Sequence, residues 1–187
     1  MLKRLFDIVL GLVAAIVFFI PCVIVAVLVK VTSPGPVLFW SDRVGRDNRI
    51  FRMPKFRSMR NDTPNVATHL LTQPESYITP LGRFIRKTSL DELPQIWSIL
   101  VGEMSIVGPR PALFNQDDLI ALRTETGVHR LRPGLTGLAQ VKGRDNLSVP
   151  EKVVLDAEYL RTQSLALDVK ILFWTIRTIF SRGDISH

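Results

Sequence analysis

The sequence predicts an α+β protein, mainly helical: a single compact domain with a short β-hairpin, carried on an N-terminal helix-break-helix set in a membrane. Three observations predict it. The run from Ile8 to Val29 holds no charged residue and lies between Lys3/Arg4 and Lys30. Two short β-prone stretches flank Gly45-Arg46-Asp47-Asn48, and segments with helical apolar spacing close the chain. A length of 187 residues suits one such domain beside a membrane segment, and no Ser/Gly linker or low-complexity tract divides it. The expected division is residues 1–32 for the membrane segment and 33–187 for the body.

The apolar run comes first. At about 1.5 Å per helical residue the whole of it covers about 30 Å of hydrocarbon, and neither arm around Pro21 does so alone. Proline brings no N–H and its ring clashes with the carbonyl four residues back, so the expected break is at Pro21. Two topologies follow. Cationic flanks at both ends favour a re-entrant hairpin that returns to the face of entry; the other is one spanning helix with a proline kink. A cleavable signal peptide fits less well, because no small-x-small site precedes the Ser33-Pro34-Gly35-Pro36 break.

After that break, Val37 to Trp40 and Ile50 to Phe56 read as the strands of the hairpin. Arg43, Arg46, Arg49, Arg52, Lys55, Arg57 and Arg60 crowd this region. Most are expected to face solvent or lipid head groups, with Lys55 or Arg57 facing a ligand. Residues 61–80, with Pro64, Pro74 and Pro80, read as a surface loop able to order over a substrate. A short amphipathic stretch from Leu81 to Lys87 follows. Pro150 to Gln163 has helical periodicity. Leu167 to Phe180 combines apolar residues with Lys170, Trp174 and Arg177, a pattern that suits an amphipathic helix on a membrane surface or a core helix.

Composition excludes several chemistries. The single cysteine, Cys22, lies within the apolar run, which argues against disulfides, thiolate zinc and a cysteine nucleophile, and fits a reducing, cytoplasm-facing body. His69, His129 and His187 are widely separated, so any metal is expected to be hard and held by oxygen. A net charge of +7 points to anionic partners. The membrane segment and the lack of a nucleic-acid motif place lipid or lipid phosphate ahead of nucleic acid.

Three short segments carry candidate chemistry. Asp91-Glu92 precedes Pro94, and proline is harmless only in the first helical turn, so Asp91 is expected at or near the N-terminus of the helix carrying Trp97. A phosphate there would meet free N–H groups. Ser89-x-x-Glu92 also has the spacing of a capping box, which would make the pair purely structural. Gly108-Pro109-Arg110-Pro111 mounts one arginine between two prolines, a stiff support for a guanidinium fork that matches phosphate. Arg130 to Gly137, with Arg132, and Lys142-Gly143-Arg144 join cations to glycines that permit close backbone approach. No Walker-type or G-x-G-x-x-G motif competes. An aspartate attacking a pyrophosphate approaches like charge, and a second carboxylate, a divalent ion and arginines are what that attack requires.

Taken in order, these residues resemble the bacterial sugar transferases that start glycan assembly on a polyprenyl phosphate, the small monotopic phosphoglycosyl transferases. The resemblance runs through Lys3, Arg4 and Asp7, the proline-broken apolar segment, Lys55-Phe56-Arg57-Ser58-Met59, Arg86 with Thr88 to Gln95, Val107 to Pro111, Arg132 to Gln140 and Gly143-Arg144. One departure is Ile20 before Pro21, where the family often has serine. The likeness implies transfer of a sugar 1-phosphate from a UDP-sugar to polyprenyl (undecaprenyl) phosphate with release of UMP. Asp91 would form an aspartyl phosphosugar intermediate. Glu92 would be a ligand of Mg2+, the implied cofactor, and Lys55, Arg86, Arg110 and Arg144 would contact phosphates or shape the sugar site. It further implies a monotopic protein of the bacterial inner membrane with its catalytic domain on the cytoplasmic face, acting as a minimal unit or a homo-oligomer. Two alternatives remain, the first using the same residues and the second needing neither magnesium nor Asp91. One is direct transfer in one step, with Asp91 activating the lipid phosphate or binding metal; the other is a non-catalytic, membrane-tethered module for anionic ligands.

Overall fold

The computed structural model describes residues 2–64, 74–143 and 146–181. Helices α1 (Leu2–Val17) and α2 (Phe19–Thr32) form the apolar N-terminal pair, and strands β1 (Leu38–Val44) and β2 (Ile50–Phe56) follow. Then come α3 (Pro74–Tyr77), α4 (Pro80–Lys87), α5 (Gln95–Val101), β3 (Ser105–Val107) and α6 (Asp117–Glu125). The chain closes with β4 (Gly134–Thr136), α7 (Leu138–Lys142), α8 (Val149–Thr162) and α9 (Leu165–Ser181). The middle of the expected 61–80 loop and Arg144 lie outside the described residues.

The N-terminal pair bends by 59°, and neither helix alone is long and apolar enough to cross a bilayer. The break falls at Phe18 and not at the expected Pro21. Pro21 sits in the first turn of α2, and the N–H it lacks would have reached back to Val17. The chain therefore opens just ahead of it, while Phe18 N still donates to Ala14 O (2.9 Å) and Cys22 N to Phe18 O (2.8 Å).

Both arms end on the same body. At the start of α1, Arg4 donates to the carbonyls of Ile99 (2.6 Å) and Leu100 (2.7 Å), placing a cation on the negative end of α5. Asp7, fully buried, accepts from Ser105 Oγ (3.0 Å) and Ile106 N (3.1 Å). Lys3 bridges Asp7 (3.2 Å) and Asp168 of α9 (2.7 Å), and Tyr159 of α8 donates to Asp168 (2.7 Å). The charged start of the chain thus docks α1 onto α5, β3 and α9. At the other arm Val25 and Val29 pack with Phe56 and Ile85. Between the two docked ends, Ile16, Val17, Phe19, Ile20 and Ile24 are more than half exposed, forming an apolar apex.

β1 and β2 pair antiparallel from Leu38↔Phe56 to Val44↔Ile50. Their turn places Asp47 (φ 55°) and Asn48 (φ 58°) in the left-handed region, which Asp and Asn tolerate better than other side chains. A second sheet was not expected: β3 and β4 pair in parallel, Ser105↔Gly134 and Val107↔Thr136. It joins the two glycine-containing motifs backbone to backbone, with Gly108 N donating to Thr136 O (2.9 Å) and Gly134 N to Pro109 O (2.8 Å). A Cβ on Gly134 would collide with the Gly108 backbone. The close approach those glycines permit is to each other. Phe51, Met53, Ile99, Met104, Ile106, Tyr159 and Ile171 form the main core around this sheet. α9 packs into the core on one face, burying Asp168 and Ile171, while Val169, Phe173 and Ile176 face outward.

Candidate active site

Thr79 caps α4 by accepting from Gly82 N (2.9 Å). Beyond α4 the chain turns through Ser89, a left-handed residue (φ 58°), into one 3-10 turn, Leu90–Glu92, and then α5. Asp91 therefore lies just ahead of the helix carrying Trp97. The capping-box alternative fails, because the Ser89 side chain caps no helix and the Glu92 carboxylate turns away to bind cations. Glu92 Oε1 accepts from Lys55 Nζ of β2 (3.0 Å) and from Arg110 (3.4 Å), which leaves β3 on the Gly-Pro-Arg-Pro loop.

The two adjacent carboxylates differ sharply. Burial works to raise Glu92, but Lys55 and Arg110 together outweigh it and hold the group at about 2. Asp91 is pushed above the usual carboxylate range, first by burial and further by the Glu92 charge, against the pull of Lys55 and Arg86. Its carboxylate makes no hydrogen bond or ion pair with another described residue. Burial lowers Lys55 as well, opposed chiefly by Glu92. The pair combines one carboxylate fixed as an anion with one left free beside cations. Environments that separate two such groups mark divided chemical roles.

These residues line a cavity of about 1180 Å³. Lys55, Arg57, Arg86 and Arg110 all face it, as does Arg43, which sequence reasoning left among the solvent-facing cations. Its signal was the hairpin register: Arg43 stands opposite the buried Phe51 and so on the inner face of β1. Arg57 is itself mostly buried, donating to Ser33 O and Oγ (both 2.8 Å) and to Asn61 Oδ1 (3.1 Å). It thereby ties β2 to the end of α2. The Arg86 guanidinium has no hydrogen-bond partner among the described residues. Arg132 does not line the cavity: its Nε donates to Gly102 O (2.8 Å) and braces the turn after α5. The cavity is apolar toward α2, at Leu38, Phe39 and Met59, and polar at Asn115, Gln116 and Lys152 beside α6 and α8.

No cluster of three acidic, histidine or cysteine side chains suited to a metal occurs among the described residues. Magnesium, however, is commonly held by one or two carboxylates with the substrate's phosphates and water completing its shell. Glu92, lining the cavity beside Asp91, fits that partial role, and an all-protein cage is not present among the described residues.

The profile of the Bacterial sugar transferase family matches residues 1–182. The chain is 40% identical to the undecaprenyl-phosphate glucose phosphotransferase of Komagataeibacter xylinus, a match covering 97% of this chain and 36% of that protein. It is 40% identical to the UDP-N-acetylgalactosamine-undecaprenyl-phosphate N-acetylgalactosaminephosphotransferase of Aeromonas hydrophila, over 96% of this chain and 44% of that one. The exopolysaccharide production protein PSS of Rhizobium leguminosarum bv. phaseoli is 37% identical over 97% of this chain and 96% of its own length. The chain thus spans less than half of the first two relatives and nearly all of the third. With its profile match running almost from end to end, this chain belongs to the bacterial sugar transferase family.

Proposed function

We propose that this chain transfers a sugar 1-phosphate from a UDP-sugar to polyprenyl phosphate in two steps. Asp91 attacks the sugar-bearing phosphorus, the bond from that phosphorus to the oxygen of UMP breaks, and an aspartyl phosphosugar remains. An oxygen of polyprenyl phosphate then attacks the same phosphorus, freeing Asp91 and leaving a polyprenyl diphosphate sugar. The observation that carries the reading is the unpaired Asp91 carboxylate standing beside Glu92, which Lys55 and Arg110 already hold.

Lys55, Arg110 and Arg86 bring positive charge to the place where a pyrophosphate must approach a carboxylate, and the buried setting strengthens that attraction. Glu92 would hold Mg2+, which would supply positive charge to the phosphate oxygens of the donor. The two docked arms of the bent helix pair support a re-entrant foot, with the apex from Ile16 to Ile24 in lipid and the body on the cytoplasmic face of the inner membrane. The outward apolar face of α9 and the apolar wall of the cavity near α2 favour a site at the bilayer boundary.

The test omits the lipid acceptor. Purified protein given UDP-sugar and magnesium is expected to release UMP in a single burst equal to the amount of enzyme, with slow turnover afterwards. Absence of a burst, with full turnover once polyprenyl phosphate is added, would establish one-step transfer instead. A panel of UDP-sugars read the same way identifies the donor.

A further inference from the structure

The loop that presents Arg110 is held by its acceptors. Four consecutive carbonyls take hydrogen bonds from three parts of the protein: β4, α6 and the end of β1. Pro109 O accepts from Gly134 N (2.8 Å), and Ala112 O from Val44 N (3.0 Å). Arg110 O accepts from Arg123 (2.8 Å), and Pro111 O from Arg43 (3.2 Å). Two prolines deprive the loop of donors at 109 and 111, so its position depends on what grips these oxygens.

The grip on Arg110 itself is the most elaborate. Arg123 lies on α6 with only 11% of its side chain exposed, and its Nε and terminal nitrogen both donate to Asp156 Oδ2 of α8 (3.0 and 2.6 Å). Asp156 is 2% exposed as a side chain and does not line the cavity. Burying a charged pair to satisfy one carbonyl is a costly way to brace a loop that a neutral donor could hold. What the charge adds is a rigid, directional fork whose free nitrogen can only point at Arg110 O.

We propose that Asp156 and Arg123 form a positioning pair for Arg110, setting where its guanidinium meets Glu92 and the phosphates of the donor. Resting on the transfer reaction above, the inference assigns control of the UMP-releasing step to a buried carboxylate outside the cavity. Asp156→Asn loosens the fork, and Arg123→Lys keeps a cation but replaces the planar fork, whose Nε and one terminal nitrogen reach Asp156 Oδ2 while the other reaches the carbonyl, with a single ammonium nitrogen.

The test is a double-mutant cycle on single-turnover UMP release, with hydrogen exchange beside it. Asp156→Asn and Arg123→Lys are each expected to slow release about tenfold to a hundredfold, the range of a charge-assisted hydrogen bond. In an Arg110→Ala background the same substitutions are expected to change the rate less than about twofold, because the group they position is gone. Losses that multiply in the double variants would overturn the proposal, since a general weakening of the fold adds to any other defect. Amide exchange across residues 108–113 is expected to rise in both variants while the β1–β2 ladder stays protected; unchanged exchange there would also overturn it. If Asp156→Asn does not fold, Arg123→Lys carries both readings, since it leaves no buried charge unpaired. The exchange measurement needs no turnover, so a wild type that releases no UMP would refute the reaction and leave the positioning of the loop to be judged separately.

Discussion

Replacing Glu92 by glutamine should make stability respond to acid in a calculable way. In the folded protein Glu92 titrates at about 2 against an ordinary 4.5, held down by Lys55 and Arg110, and its side chain is only 18% exposed. At about 1.4 kcal/mol per pH unit, that fall corresponds to about 3 kcal/mol of stability. The sign follows from a depressed carboxyl: the contribution is complete above pH 4.5 and is lost as pH falls toward 2. By pH 3 about 2 kcal/mol of it should be gone. Urea unfolding of wild type and Glu92→Gln in micelles, at pH 7 and pH 3, measures the difference between the two proteins at each pH. Costs of the substitution that do not depend on pH cancel between the two conditions. The wild-type advantage is expected to shrink by about 2 kcal/mol on acidification. A difference that stays constant across that range would refute the ion-pair account of Glu92.

Other expectations follow from the same geometry. Lys55 is the strongest influence holding the Asp91 carboxyl down against burial, so Lys55→Met should move the acid limb of the UMP-release profile to higher pH; a limb unmoved or shifted to lower pH would contradict this. Asp7→Asn removes a buried anion that receives Ser105, Ile106 N and Lys3, and should lower stability by about 1–3 kcal/mol in micelle denaturation, whereas wild-type stability would remove its docking role. Tags placed before Lys3 and after Trp40 should be reached by protease from one side of sealed vesicles only, and opposite sides would establish a spanning helix.

The β1–β2 hairpin was legible because its turn residues and flanking alternation are local signals. The second sheet was not: β3 and β4 have three residues each, lie far apart in the chain, and show no alternation because both are almost wholly buried. Pro21 announced a break but its position at Phe18 depends on where the missing N–H would have bonded. The Asp91-Glu92 pair could be singled out from its spacing and neighbours, yet the choice between a helix cap and a reactive site needed the partners of Glu92. Charge density alone could not sort the arginines. Arg57 and Arg132 resemble Arg110 as residues, but one is tied to Ser33 and the other to Gly102. Arg43 and Arg123 gain their places at the cavity from strand register and helix packing, which only the assembled fold supplies.

The central claim is a covalent bond from phosphorus to Asp91, and intact-protein mass spectrometry of enzyme quenched soon after mixing with UDP-sugar and magnesium, without lipid, tests it most directly. The account predicts a mass increase of one phosphosugar, mapped to the peptide containing Asp91, discharged by polyprenyl phosphate and absent from Asp91→Asn. An unmodified protein under conditions that support full transfer, or the same adduct on Asp91→Asn, would contradict it.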